Sequence, residues 1–185
     1  MADNTVQLGR GFTLLLGGVR SGKSDLAVSL GKAWDGEVVF AATAEPLDDD
    51  MADRITRHQS DRPNSWGLIE APALNAADIA EIDPAALLIV DCITLLVSNL
   101  IMADKRNQQI EDHISVLAHA LVSRTAPTIV ISNEVGLGVH PETELGRRYQ
   151  GVLGRANKRL ASRTETALFV AAGMVTPLMS LDIHW

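Results

Sequence analysis

The chain holds a single cysteine, Cys92, so no intramolecular disulfide can form, and no C-x-x-C or H-E-x-x-H string offers zinc ligands. Cys92 sits in an apolar run and reads as a buried thiol. Aromatic residues make up only 4% of the 185, which leaves Leu, Val, Ile and Ala to fill the core. Basic residues are in deficit, 16 against 23 acidic ones for a formal charge of −7, and that balance argues against a nucleic-acid-binding surface. Long hydrophobic runs are missing too. The longest, residues 85–90, is far too short to cross a bilayer. The opening Met1-Ala2-Asp3-Asn4-Thr5 is polar and acidic, unlike a secretory leader. These absences lead to the expectation of a soluble cytoplasmic protein with no membrane span and no nucleic-acid partner.

Against this background one string stands out. Gly17-Gly18-Val19-Arg20-Ser21-Gly22-Lys23-Ser24 satisfies G-x-x-x-x-G-K-[ST] and follows the apolar run Phe12-Thr13-Leu14-Leu15-Leu16. The residue types follow from the chemistry of binding a phosphate. Glycines let successive N–H groups converge on phosphate oxygens at the positive end of the following helix, expected over residues 24–33. Lys23 is placed to reach the β- and γ-phosphates, and the Ser24 hydroxyl to hold Mg²⁺. A nucleoside triphosphate is the expected ligand.

Apolar strand-like runs alternate with helical patterns along the chain. Strands are expected at residues 38–42, 68–70, 86–90, 128–131 and 168–172. Helices are expected at 48–58, 107–123 and 142–163, the last with Leu145, Tyr149, Val152, Leu153, Ala156 and Leu160 turned inward. Continuous apolar strands separated by helices predict an α/β domain with a mainly parallel sheet covered on both faces. With no repeat, low-complexity tract or dividing linker, residues 12–185 read as one P-loop domain behind a polar extension, residues 1–11, expected to lack fixed structure.

Further candidates gather around the loop. Asp91 closes the strand Leu87-Leu88-Ile89-Val90, where a P-loop protein places the acid that holds Mg²⁺ or its water; an N-cap for the next helix is the other reading. His58 lies among Arg54, Arg57 and Arg62, a local anion site in an acidic protein. A neutral imidazole there could carry a nucleotidyl group as a phosphoramidate, although spacing alone favours an ordinary surface histidine. His113 and His119 read as solvated, and Asp48-Asp49-Asp50 as favourable charge at a helix start. Asn133 and Glu134, after the strand at 128–131, either orient a substrate hydroxyl or a metal-bound water, or serve the turn. Arg148, Arg155 and Arg159 fall near one face of the long helix, either as a solvated face or as a site for a phosphorylated ligand.

Together these segments resemble one family, the bifunctional adenosylcobinamide kinase / adenosylcobinamide-phosphate guanylyltransferases of cobalamin biosynthesis. The P-loop alone is generic. The resemblance is carried by Ala42-Thr43-Ala44, by Arg54-Ile55 with His58 and Arg62-Pro63, by Trp66 and Glu70, by Asp91-Cys92-Ile93-Thr94 through Asn99-Leu100, and by Asn133-Glu134-Val135-Gly136-Leu137-Gly138. The resemblance implies a RecA-like P-loop fold and a two-step enzyme. Adenosylcobinamide is first phosphorylated from ATP or GTP. GMP is then transferred from GTP to that phosphate through a guanylylated histidine, releasing pyrophosphate. It places that histidine at His58 and nucleotide contacts on Gly17, Gly18, Val19, Arg20, Ser21, Gly22, Lys23 and Ser24, on Ala42, Thr43 and Ala44, on Gln59, Ser60, Asp61 and Arg62, and on Glu70 and Asp91. It also implies a homotrimer. The acid that ends this strand is often Glu in relatives; here it is the shorter Asp91, so its role is less fixed than its place. Two rival readings remain: a P-loop small-molecule kinase without nucleotidyl transfer, and a GTP-dependent switch. The switch lacks its guanine-reading motif, since Asn157-Lys158-Arg159-Leu160 has no Asp and falls within a predicted helix.

Overall fold

A computed structural model describes residues 8–45 and 62–180. Seven strands form one sheet: β1 (Phe12–Gly17), β2 (Val38–Ala42), β3 (Gly67–Glu70), β4 (Leu87–Asp91), β5 (Thr128–Asn133), β6 (Thr166–Ala171) and β7 (Met174–Leu178). Their spatial order is β3-β2-β4-β5-β1-β6-β7, parallel throughout except for β7, which returns antiparallel to β6. Among the described residues the helices are α1 (Lys23–Lys32), α2 (Ala76–Ala80), α3 (Ile93–Met102), α4 (Asn107–Val122) and α5 (Glu144–Ala161).

The central strands β1, β4 and β5 are mostly apolar and buried along nearly their whole length because both faces of a parallel sheet are covered. The two-residue period then divides their side chains. Leu14, Leu16, Leu88, Val90 and Val130 join a core with Ile79, Leu96, Ile114, Leu117, Leu153 and Leu160, which come from α2, α3, α4 and α5. Leu15, Leu87, Ile89, Ile129 and Ile131 face the other way, onto Ala27 of α1 and its neighbours. Helices on both faces agree with the expectation. The split is uneven, with α1 alone facing four helices among the described residues.

Several boundaries and contacts differ from the sequence reading. The long helix starts at Glu144, where the Thr143 hydroxyl caps it by accepting the Gly146 N–H. Leu145, expected inward, is 52% exposed because it lies in that first turn, before the helix reaches the core. His113 is half-buried, with Nε2 2.7 Å from the Leu74 carbonyl, so it ties α4 to the loop before α2 instead of facing solvent. The sequence pattern predicts neither helix α3, nor the short α2, nor strand β7. Ile93 to Met102 is apolar nearly all round and shows little period, because it is buried deep between sheet and helices. The expected helix at 48–58 lies outside the described residues. Leu8, inside the expected extension, packs against the α1-side core.

Candidate functional site

The carboxyl ends of the parallel strands form one edge, and the chain leaves neighbouring strands there toward opposite faces. From β1 it turns into α1 on one face; from β5 it leads to α5 on the other. Strands β1 and β5 are adjacent, so a crevice opens between them, the usual ligand position in an open α/β sheet.

The P-loop occupies that position. Gly17 has φ +154° and Gly22 φ +102°, backbone conformations that L side chains rarely adopt. A Cβ on Gly17 would lie 2.2 Å from the Val170 carbonyl oxygen, so the loop can begin only with glycine. Gly22 caps α1, whose first residues are Lys23 and Ser24. The Lys23 ammonium, buried at the loop's centre, donates to the Gly17 carbonyl at 3.0 Å and the Gly18 carbonyl at 2.6 Å, and lies 3.3 Å from Ser21 Oγ. The Gly173 N–H donates to the Ser21 carbonyl at 2.9 Å, so the β6–β7 turn braces the loop from outside.

Asp91 ends β4 on the α1 face, and Ser24 Oγ donates to its Oδ2 at 3.1 Å. These two oxygens, distant in sequence, meet at one point. Asp91 is not an N-cap: Cys92 occupies that position in α3, with no side-chain cap. Cys92 is buried, as expected. The serine hydroxyl and one carboxylate are hard oxygen donors. No cluster of three or more His, Cys, Asp or Glu is found among the described residues. So few protein ligands suit Mg²⁺, which keeps waters and takes phosphate oxygens, better than a metal needing a full protein cage.

Toward the sheet's far side, register aligns Glu70 of β3, Ala42 of β2 and Asp91 of β4 in one row. Arg62 stacks over the Phe40 ring, its guanidinium carbon 3.9 Å from the centroid. Burial lowers the Arg62 pKa from its ordinary value, and the charges of Asp91 and Glu70 oppose that shift. Ser24, Phe40, Arg62 and Asp91, with the α1 residues Asp25 and Lys32, line an open cavity of about 240 Å³ beside the P-loop. The P-loop, Arg62, Glu70 and Asp91 therefore converge. His58, Gln59, Ser60 and Asp61 lie outside the described residues.

Thr43 belongs to the same edge, but its side chain does not face the cavity. It is fully buried: Oγ1 donates to the Cys92 carbonyl at 2.7 Å and accepts the Cys92 N–H at 2.8 Å. Asn99 donates from Nδ2 to the carbonyls of Thr43 and Pro72, at 2.8 and 2.9 Å. Asn99 belongs to the segments that carry the family resemblance, and the sequence alone implies no role for it. An amide on an apolar helix was the available signal.

The arginines of α5 resolve as structural. Arg155 Nε and Arg159 Nη2 lie 2.7 and 2.6 Å from the two Glu111 oxygens, and Arg148 Nε donates to Asn107 at 2.9 Å. They fasten α5 to α4, and Glu111 is held below the usual carboxylate range chiefly by Arg159 and then Arg155. Asn157, from the string compared with a guanine-reading motif, is buried in α5 and bonded to Ser132 and Asn133.

Residues 13–178 match the family model described as cobinamide kinase / cobinamide phosphate guanyltransferase. The chain is 39% identical over 166 residues to the bifunctional adenosylcobalamin biosynthesis protein CobP of Pseudomonas aeruginosa, covering 89% of this chain and 95% of that one. It is 34% identical over 175 residues to the bifunctional adenosylcobalamin biosynthesis protein CobU of Salmonella typhimurium, covering 87% and 96%. The Escherichia coli CobU protein is 34% identical over 174 residues, covering 87% and 96%. Among solved structures, an ATPase from a bacterial type III secretion system superposes with a TM-score of 0.56 at 9% identity, covering 86% of this chain and 50% of that one. This likeness concerns fold alone, and it agrees with the expected RecA-like P-loop architecture.

Proposed function

The chain belongs to the cobinamide kinase / cobinamide phosphate guanyltransferase family, and we propose that it performs both reactions at one carboxyl edge. In the first, the terminal phosphoryl group of ATP or GTP passes to the aminopropanol hydroxyl of adenosylcobinamide, leaving the nucleoside diphosphate. In the second, GMP passes from GTP to the new phosphate, giving adenosylcobinamide-GDP and pyrophosphate. The observation that carries the nucleotide half is the meeting of Ser24 and Asp91 at 3.1 Å beside the Lys23-centred loop.

Phosphoryl transfer asks a protein for position and charge neutralisation more than for covalent chemistry. The loop N–H groups and the α1 N-terminus cradle phosphate oxygens, and Lys23 exchanges its loop carbonyls for the β- and γ-phosphates. Ser24 and Asp91 would hold Mg²⁺, which when bound neutralises phosphate charge. Glu70 and Arg62 flank the far side, where Gln59, Ser60 and Asp61 would complete the nucleotide contacts with Ala42, Thr43 and Ala44. Thr43 would serve there by holding the edge in place, since its hydroxyl is spent on Cys92, its N–H on the Asp91 carbonyl and its carbonyl on Asn99.

For the second reaction an unprotonated ring nitrogen of His58 attacks the α-phosphorus of GTP. A P–N bond forms as the bond to pyrophosphate breaks, and the corrinoid phosphate then displaces the imidazole. The family motif at residues 54–63 supports this assignment. We further propose a homotrimer in the cytoplasm; among the described residues no helix is long and apolar enough to cross a membrane.

Incubation with α-labelled GTP tests the covalent step. Wild type should retain acid-labile label, and His58→Ala should lose it while still phosphorylating adenosylcobinamide. Label persisting on that variant removes His58 from the mechanism. A wild type that makes the phosphate but never the label is a kinase alone.

A further inference from the structure

Asn133 ends β5 at the crevice, in register with Gly17, and the next residue's N–H donates to the Gly17 carbonyl at 3.0 Å. Its position is therefore fixed against the first residue of the P-loop. The strand period puts its side chain on the face of Ile129 and Ile131, the face that carries α1, Gly17 and Asp91.

The main chain of Asn133 is held unusually well for a strand end. Strand β4 stops at Asp91, which pairs with Ile131, so Asn133 has no strand beyond it on that side. Its N–H donates instead to Thr94 Oγ1 at 2.7 Å, and its carbonyl accepts from Asn157 Nδ2 at 3.0 Å. Asn157 is itself oriented by the Ser132 hydroxyl, which donates to Oδ1 at 2.6 Å. Two helices thus pin the backbone from the opposite face. The Asn133 amide makes no hydrogen bond among the described residues, and its neighbour Glu134 spends Oε1 on the Gly136 N–H at 2.7 Å. Of the two residues, the turn takes Glu134 and leaves Asn133.

A half-buried amide on a fixed backbone at the crevice, contributing nothing to protein hydrogen bonding, is free to meet a ligand there at little reorganisation cost. We propose that Asn133 Nδ2 donates to an oxygen of the terminal phosphate of the bound nucleoside triphosphate, so that Asn133 is a catalytic residue of the phosphorylation step and the group that distinguishes triphosphate from diphosphate. This rests on the P-loop binding a nucleotide. A preorganised donor on the migrating group also meets charge where it shifts during transfer.

Titration of the full-length protein with MgATP and MgADP, without corrinoid, tests the inference alongside steady-state phosphorylation of adenosylcobinamide. Wild type should bind both nucleotides. Asn133→Ala should weaken ATP by roughly tenfold, the range for a hydrogen bond to a charged group, and change ADP by no more than about twofold. Its kcat should fall by about 100-fold, as for loss of one preorganised donor. Its melting temperature should stay at the wild-type value, because no protein hydrogen bond is removed. Asn133→Asp, of the same shape, should bind ATP more weakly still through charge repulsion. Equal losses for ATP and ADP, unchanged ATP binding and kcat, or an effect confined to the KM for adenosylcobinamide would each overturn the assignment. A wild type that binds neither nucleotide overturns the P-loop reading itself, and the role of Asn133 with it.

Discussion

Adding one methyl group to Gly17 should break the site from within. The Cβ of Gly17→Ala would stand 2.2 Å from the Val170 carbonyl oxygen and 2.9 Å from Ser21 Oγ, at a φ of +154°. The serine hydroxyl can rotate away; the carbonyl is main chain in a parallel pair that aligns Gly17 with Val170. Relief needs a separation of about 1 Å between β1 and β6, or a φ change that reorients the loop. Overpacking of this kind costs about 1–3 kcal/mol and a residue held in a sparse backbone region costs a similar amount, so a total near 3 kcal/mol is expected. For a chain of this size that lowers Tm by about 6–12 °C. The variant should also lose nucleotide affinity, since every later N–H of the loop depends on where it starts. Gly18→Ala is the control: nothing lies within 4 Å of its added Cβ, and Tm should stay within about 2 °C. Thermal melts followed by circular dichroism, with MgATP titrations, read both effects. A Gly17→Ala protein melting with wild type and binding nucleotide normally would refute the steric reasoning.

Other outcomes follow from individual contacts. Asp91→Asn should raise the Mg²⁺ concentration for half-maximal phosphorylation by at least about tenfold, measured by metal titration at saturating nucleotide. Glu111→Gln should cost about 1 kcal/mol at neutral pH, the upper end for exposed pairs, because Arg155 and Arg159 lose their shared carboxylate. Since the folded protein holds the Glu111 carboxyl below its usual range, this stability is present above that range and is lost as pH falls through the depressed value. Denaturant midpoints of wild type and variant should therefore converge in acid. Tyr149, the only tyrosine in the chain, has its pKa pushed up to about 12, first by burial and then by Cys92. Phenolate absorbance of the folded protein should thus rise near pH 12, with the group's contribution to stability falling between pH 10 and that value. A titration centred at the ordinary value of 10 would contradict its burial.

Much of this protein is local in character and so was legible in the chain. The P-loop signature specifies its own backbone, because glycines at positions 17 and 22 adopt conformations that other residues avoid and Lys23 follows at the helix start. Unbroken apolar strands announced a parallel sheet, since only a sheet covered on both faces buries every residue of a strand. Asp91 at a strand end was recognisable for the same reason. Tertiary structure decided what depends on strand order and on partners remote in sequence. Strand order placed β5 beside β1 and so put Asn133 at the crevice. Glu111, on another helix, took the arginines that could have bound a phosphate. Thr43 was turned inward because the main chain of Cys92, buried beside it, had polar groups that only a neighbouring hydroxyl could satisfy. Periodicity reports which face of an element is buried, but not which element covers it, and that choice separates a ligand contact from a structural tie.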